Sequence, residues 1–361
     1  MTNPTKRLHD LGQSLWLDNI TREMLQDGTL RNYIKELSIT GLTSNPSIFD
    51  QAIKSGAYDD SIHAKNPAGL SSEELFFQLA GEDLTQAADL FRPIHGATNH
   101  LDGWVSLEVS PLLAHDTKRT LEQVKSLHRQ LERPNIFIKI PGTPEGLPAI
   151  EEATFSGIPI NVTLLFSREQ YLAAAAAYQR GIERRIAVGL DPDVVSVASV
   201  FISRWDKAVQ DKVPAELRSR LGIAIAGRTY RAYRELLDSR HSQSLAAAGA
   251  RHQRLLWAST GTKDPRASDV LYIEALAAPD TINTMPDATL LAFADHGEIR
   301  GVMAEDGGDA EAVLAEFERA GIDVAALADQ LQREGAEAFV KSWNDLMSVI
   351  ASKSESLKKA K

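Results

Sequence analysis

Short apolar or β-branched runs recur along the chain and alternate with amphipathic stretches rich in Ala, Glu, Leu and Arg. That is the pattern of β-strands joined by helical crossovers. Eight candidate strands stand out, at residues 14–19, 37–44, 103–109, 135–140, 158–166, 194–201, 254–259 and 281–286. Eight strands with helical connections predict an α/β fold, a closed (β/α)8 TIM barrel with additional helices.

Two connections, residues 49–102 and 205–253, have room for more than one helix, and helical patterns run over 72–91 and 215–237 within them. Residues 309–353 read as two or three helices able to pack across the barrel, one of them over 335–350, and the Lys-rich end from Lys353 reads as a frayed tail. No fixed-period repeat, low-complexity linker or compositional break divides the chain, so residues 1–361 are expected to form a single domain. A doubly wound open sheet is the competing architecture. It normally carries a Gly-rich turn after its first strand, and residues 19–22 offer none.

Strands covered on both faces should be apolar throughout, so polar residues inside them need a reason. Here the polar positions share one parity. In the fourth run Ile136, Ile138 and Ile140 face the helices while Phe137 and Lys139 face the lumen; in the third, Val105, Leu107 and Val109 alternate with Ser106 and Glu108. The first run sets Leu15 and Leu17 outside and Trp16 and Asp18 inside. The fifth sets Ile160, Val162 and Leu164 outside and Asn161 and Thr163 inside. Asp18, Glu108, Lys139, Asn161 and Thr163 therefore converge near the C-terminal ends of their strands, where barrel enzymes keep their chemistry.

Composition narrows what that chemistry is. An apolar fraction of 43% with 24% charged residues suits a folded globular chain. The formal charge of −10 argues against nucleic acid or anionic membrane as a partner. With no cysteine, disulfides, thiolate metal sites and cysteine nucleophiles are excluded. No signal-like or membrane-spanning apolar run occurs, so a cytoplasmic location is expected.

A lone strand lysine usually extends its ammonium to water. Lys139 lies between isoleucines with two carboxylates at neighbouring inward positions, and burial in an apolar lumen favours the neutral, nucleophilic amine. One carboxylate would suffice to neutralise it. Covalent amine catalysis needs two proton-transfer tasks, one at the carbinolamine and one at the hydroxyl beside the breaking C–C bond. Asn45, Asn161, Thr163 and Ser199 carry weaker signals, because small polar residues at strand ends are commonly turn or helix caps.

The strings Leu17-Asp18, Thr43-Ser44-Asn45-Pro46-Ser47, Val105-Ser106-Leu107-Glu108-Val109 and Ile138-Lys139-Ile140-Pro141 occur in that order. They are followed by Asn161-Val162-Thr163-Leu164-Leu165-Phe166-Ser167, Ser199-Val200-Phe201-Ile202-Ser203-Arg204 and Asn283-Thr284-Met285-Pro286. Together they resemble the transaldolases over nearly the whole chain. The resemblance implies a (β/α)8 fold and a cofactor-free transfer of a dihydroxyacetone unit between phosphorylated ketoses and aldoses of the non-oxidative pentose phosphate pathway. It implies Lys139 as the Schiff-base lysine, Glu108 with Thr163 as the pair handling water at the carbinolamine, and Asp18 as the base at the C4 hydroxyl. Asn45, Asn161 and Ser199 match positions that hold the dihydroxyacetone hydroxyls.

For the phosphate, Arg204 is the first candidate, since a guanidinium suits bidentate phosphate binding, and an ion pair with Asp206 is its competing use. A second element is expected after the seventh strand, where many relatives place an arginine shortly after a serine. This chain instead reads Ser259-Thr260-Gly261-Thr262-Lys263, so Ser259 and Lys263 stand as candidates against a plain surface loop. An aldolase releasing free dihydroxyacetone from fructose 6-phosphate and a non-catalytic sugar-phosphate sensor are the rival functions. A metal-dependent aldolase is disfavoured, because the nine histidines form no ligand-spaced pair of the His-x-x-x-His kind. No cofactor or metal is expected, and either a monomer or a homodimer is compatible with the sequence.

Overall fold

A computed structural model describes residues 3–65 and 69–359. Eight parallel strands close into a barrel in chain order: β1 (Gln13–Asp18), β2 (Ile39–Thr43), β3 (Trp104–Glu108), β4 (Ile136–Pro141), β5 (Ile160–Leu165), β6 (Ser196–Phe201), β7 (Arg254–Ala258) and β8 (Thr281–Met285). Each overlaps one of the eight sequence runs, and only β1, which starts at Gln13, and β4, which ends at Pro141, pass a run's bounds, each by one residue. The barrel closes through β1 and β8, with Leu15 opposite Asn283 and Leu17 opposite Met285.

Strand parity explains the layers. Leu15, Leu17, Val105, Leu107, Ile136, Ile138, Ile140, Ile160 and Val162 are buried in the apolar cluster between barrel and helices. The opposite parity fills the lumen, where Trp16, Trp104, Phe137, Leu256 and Ile282 pack as an apolar middle layer. Trp104 and Phe137 stack with ring centroids 4.1 Å apart. Room for the Trp16 indole comes from Gly41 on the neighbouring strand, where a Cβ would lie 2.5 Å from the ring. Below this layer Asp102 accepts from Ser14 Oγ at 2.5 Å and Trp16 Nε1 at 2.9 Å, tying the lower end of the lumen together. Above it the lumen becomes polar.

Leu164 departs from the expected outward placement. The β5–β6 register shifts between Val162 and Leu165, and Leu164 adopts φ +58°, a conformation uncommon for a residue with a Cβ. The bulge moves Leu165 to the outer face and leaves Leu164 in the cluster with Phe166.

The connection after β2 carries the helices Pro46–Lys54, Asp59–Lys65 and Ser72–Ala97. In the connection after β6, the helix expected from residue 215 begins at Leu221. Residues Ala215–Leu217 form only a 3-10 turn, Ser219 takes φ +59°, and the Asp206 carboxylate receives the Leu221 and Gly222 N–H groups at 2.9 and 3.1 Å. Among the described residues three helices follow β8: Asp287–His296, then Ala310–Arg319 and Val324–Lys359 at the end of the chain. The last runs past the expected fraying point: it is helical through Lys359, and Lys353 Nζ donates to Asp59 at 2.5 Å. This C-terminal helix crosses the C-terminal face of the barrel. Gln332 donates to the carbonyls of Gly142 and Leu164, Ser342 bonds Ser47, and Trp343 packs edge-on against Phe76. Among the described residues no helix is long and apolar enough to cross a membrane.

Candidate functional site

The polar layer opens into a cavity of about 210 Å³ at the C-terminal ends of the strands. Asp18, Asn45, Lys139, Thr163, Ser199, Arg204, Ser259 and Lys263 line it. Glu108 and Asn161, the remaining candidates, lie buried just beneath. Larger grooves exist on the surface, such as the open one between the helices Ser72–Ala97 and Thr117–Leu131, but that groove contains none of these candidates.

Lys139 is paired in register with Glu108 on one side and Asn161 on the other. Its Nζ donates to the Ser44 carbonyl at 3.0 Å and stands 3.4 Å from Glu108 Oε2, with both side chains almost fully buried. Neither Glu108 carboxylate oxygen nor the Thr163 hydroxyl has a hydrogen-bond partner within the protein. Buried polar atoms without a hydrogen bond are few in folded proteins, and here both Glu108 oxygens, one of them in an ion pair with Lys139, and the Thr163 hydroxyl are of that kind. Burial raises the Glu108 carboxyl above its ordinary range, against the opposing attraction of Lys139.

Asp18 sits across the cavity mouth at the end of β1. Thr43 Oγ1 donates to Asp18 Oδ1 at 2.8 Å and lies 2.7 Å from Thr284 Oγ1. Because an ionised carboxylate only accepts, Thr43 must spend its proton on Asp18 and take one from Thr284. Burial raises the Asp18 carboxyl too, while the charges of Lys139, Lys263 and Arg204 work the other way. Thr43 and Thr284 were not singled out in the sequence. Their inward parity with Gly41 and Ile282 is the only trace of them in the sequence, and it does not separate them from ordinary strand threonines.

The Ser199 hydroxyl donates to Asn161 Oδ1 at 2.7 Å, and Asn161 Nδ2 donates to Ser106 Oγ at 3.1 Å. This leaves the Ser199 oxygen free to accept from a ligand. Asn45 does cap the helix Pro46–Lys54, its Oδ1 receiving the Ser47 and Ile48 N–H groups at 3.0 and 3.2 Å. It lines the cavity as well, with its amide NH2 uncommitted.

Arg204 makes no ion pair with Asp206, whose carboxylate is occupied by Leu221, Gly222 and the Tyr272 hydroxyl at 2.7 Å. The guanidinium instead lies over the rings of Phe201 and Phe339, 5.0 and 5.7 Å from their centroids. Lys263 shares the cavity wall with it, and burial together with the Arg204 charge lowers the ammonium below its usual range. Ser259, at φ +54°, turns the chain after β7, with its hydroxyl 3.0 Å from Ser203 Oγ. Among the described residues neither cation has an ion-pair partner within 4 Å, so this wall of the cavity is positively charged. The same cavity is lined by the buried Lys139 amine and the Asp18 carboxylate, with Glu108 beneath the amine.

The profile of the Transaldolase/Fructose-6-phosphate aldolase family matches residues 15–350. The chain belongs to this family. Among curated relatives, a protein of Thermobifida fusca named Transaldolase is 43% identical over 362 aligned residues, covering 97% of this chain and 98% of its own. Transaldolase 2 of a Nostoc species is 40% identical with 97% coverage of both chains. A Transaldolase of an Arthrobacter species is 42% identical over the full length of both. The family span includes all ten candidate residues, from Asp18 to Lys263, and most of the C-terminal helix.

Proposed function

We propose that the protein is a transaldolase, which carries a dihydroxyacetone unit as a Schiff base on Lys139. It takes the unit from sedoheptulose 7-phosphate or fructose 6-phosphate and gives it to an aldose phosphate in the non-oxidative pentose phosphate pathway. The observation that carries this reading is the buried Lys139 amine beside Glu108, in a cavity that also holds Asp18 and a positively charged wall.

Glu108 takes a proton from the Lys139 ammonium, and the neutral amine attacks the ketose C2 carbonyl. With Thr163 positioning water, a proton passes from the attacking nitrogen to the C2 alkoxide to give the carbinolamine, and Glu108 then returns its proton to the C2 hydroxyl, which leaves as water to give the iminium. Asp18 then removes the C4 hydroxyl proton. The C3–C4 bonding pair moves into the iminium, leaving an enamine on Lys139 and releasing an aldose phosphate. The steps reverse on the acceptor: the enamine attacks its aldehyde carbon, and Asp18 protonates the new alkoxide. Asn45, Asn161 and Ser199 hold the hydroxyls of the retained unit, while Arg204, Lys263 and Ser259 hold the phosphate. The iminium is the electron sink, so neither metal nor cofactor is required. The working unit is a single barrel domain, monomeric or homodimeric, acting in the cytoplasm.

Incubation with fructose 6-phosphate tests the transfer. Glyceraldehyde 3-phosphate is expected only when erythrose 4-phosphate is present. Its formation from fructose 6-phosphate alone, with free dihydroxyacetone, would establish the aldolase reading instead.

A further inference from the structure

The wall of the cavity holding Arg204 is not built by the barrel alone. Phe339 comes from the C-terminal helix and Phe201 from the end of β6, and the Arg204 guanidinium lies over both rings. One turn earlier stands Gly335. A Cβ there would lie 3.1 Å from Arg204 Nη1 and 3.0 Å from Leu164 Cδ2, so the helix backbone approaches the guanidinium more closely than any other residue type would allow comfortably. Residues 335 and 339 fall on one helix face by their spacing. The Gln332 amide pins the same face to the Gly142 and Leu164 carbonyls at 3.1 and 2.9 Å. The sequence motif that marked Arg204 contained none of this.

We infer that Gly335 and Phe339 are positioning residues for Arg204, so that the C-terminal helix sets the preference for phosphorylated over unphosphorylated ketose. An arginine side chain has several rotatable bonds and loses considerable freedom when it binds an anion. Two aromatic faces and a flush helix backbone hold it in place beforehand. They supply no competing carboxylate, so its N–H donors stay available to a phosphate.

The inference rests on Arg204 as a phosphate contact, and the test separates the two claims. Three quantities are measured: KM for fructose 6-phosphate with erythrose 4-phosphate as acceptor, inhibition by inorganic phosphate, and borohydride trapping with dihydroxyacetone, which carries no phosphate. Phe339→Leu is expected to raise KM and the phosphate inhibition constant roughly 2- to 30-fold, the worth of a cation–π contact, and Gly335→Ala, whose Cβ would press on the guanidinium, to raise both in the same direction, with trapping retained in each. Phe339→Trp should restore both. If Arg204→Ala weakens phosphate inhibition while both helix variants leave it unchanged, the inference is overturned and the Arg204 assignment stands. If Arg204→Ala itself has no effect, the phosphate reading of Arg204 fails and the inference with it. Parallel loss of trapping and of phosphate inhibition in both helix variants overturns the inference, because the helix then supports the barrel in general.

Discussion

At the scale of single residues, the account divides labour among Lys139, Glu108 and Asp18, and each division has its own signature. Lys139→Ala should abolish covalent trapping. Asp18→Ala should still form the Schiff base yet lose roughly 10²- to 10⁴-fold in turnover, the usual worth of a general base, as read by single-turnover kinetics. Asp18 works ionised, and burial raises its carboxyl above the ordinary 3.8. The acid limb of kcat/KM should therefore lie above that value. The same shift has a sign for stability. The folded protein holds this proton at pH values where the unfolded chain has released it, so stability falls as pH rises from the unfolded value through the folded one. Asp18→Asn should then melt at a higher temperature than the wild type near pH 7, with the gap closing towards pH 4; equal melting temperatures at both would remove the burial argument. Lys139, Glu108 and Asp18 were legible in the sequence because period-two alternation is strict in β1, β3 and β4. Thr43 and Thr284, equally inward, were passed over because a threonine in a strand is ordinary and only its hydrogen bond to Asp18 or to Thr43 distinguishes it.

At the scale of elements, alternation located every strand and failed where geometry broke it. The β5 bulge shifts the pairing by a residue, and no composition signal announces a left-handed leucine. The start of the helix Leu221–Asp238 was misplaced for a similar reason: its first N–H groups are capped by Asp206, fifteen residues earlier in the chain, and such a cap leaves no local mark. Gly41 is a clearer case of sequence necessity. Gly41→Val would drive side-chain carbon into the Trp16 ring and should cost about 1–3 kcal/mol or more by thermal or urea unfolding. In the C-terminal helix, Trp343 is 1% exposed and rests on Phe76 and Phe77 at centroid distances of 5.1 and 5.7 Å. Trp343→Ala should lower stability by about 3–5 kcal/mol, and an effect below 1 kcal/mol would mean the helix is not anchored there.

At the scale of the molecule, the barrel separates an apolar, largely aromatic middle layer from a polar upper one, and this separation gathers a lysine, two carboxylates and two further cations in and just beneath one small cavity. The closed topology followed from counting strands. Helices able to pack across the barrel were also legible in residues 309–353, but not where they dock, since that depends on contacts with helices and loops hundreds of residues away, such as Ser342 with Ser47. The chemistry proposed uses the iminium as its electron sink, so activity should survive a strong chelator; a loss restored by a divalent cation would contradict it. The central claim is that catalysis passes through a Schiff base on Lys139, and borohydride reduction in the presence of fructose 6-phosphate tests it most directly. Peptide mapping by mass spectrometry should place the reduced adduct on Lys139, with activity lost in proportion. An adduct on another lysine, or full loss of activity with Lys139 unmodified, would contradict the account.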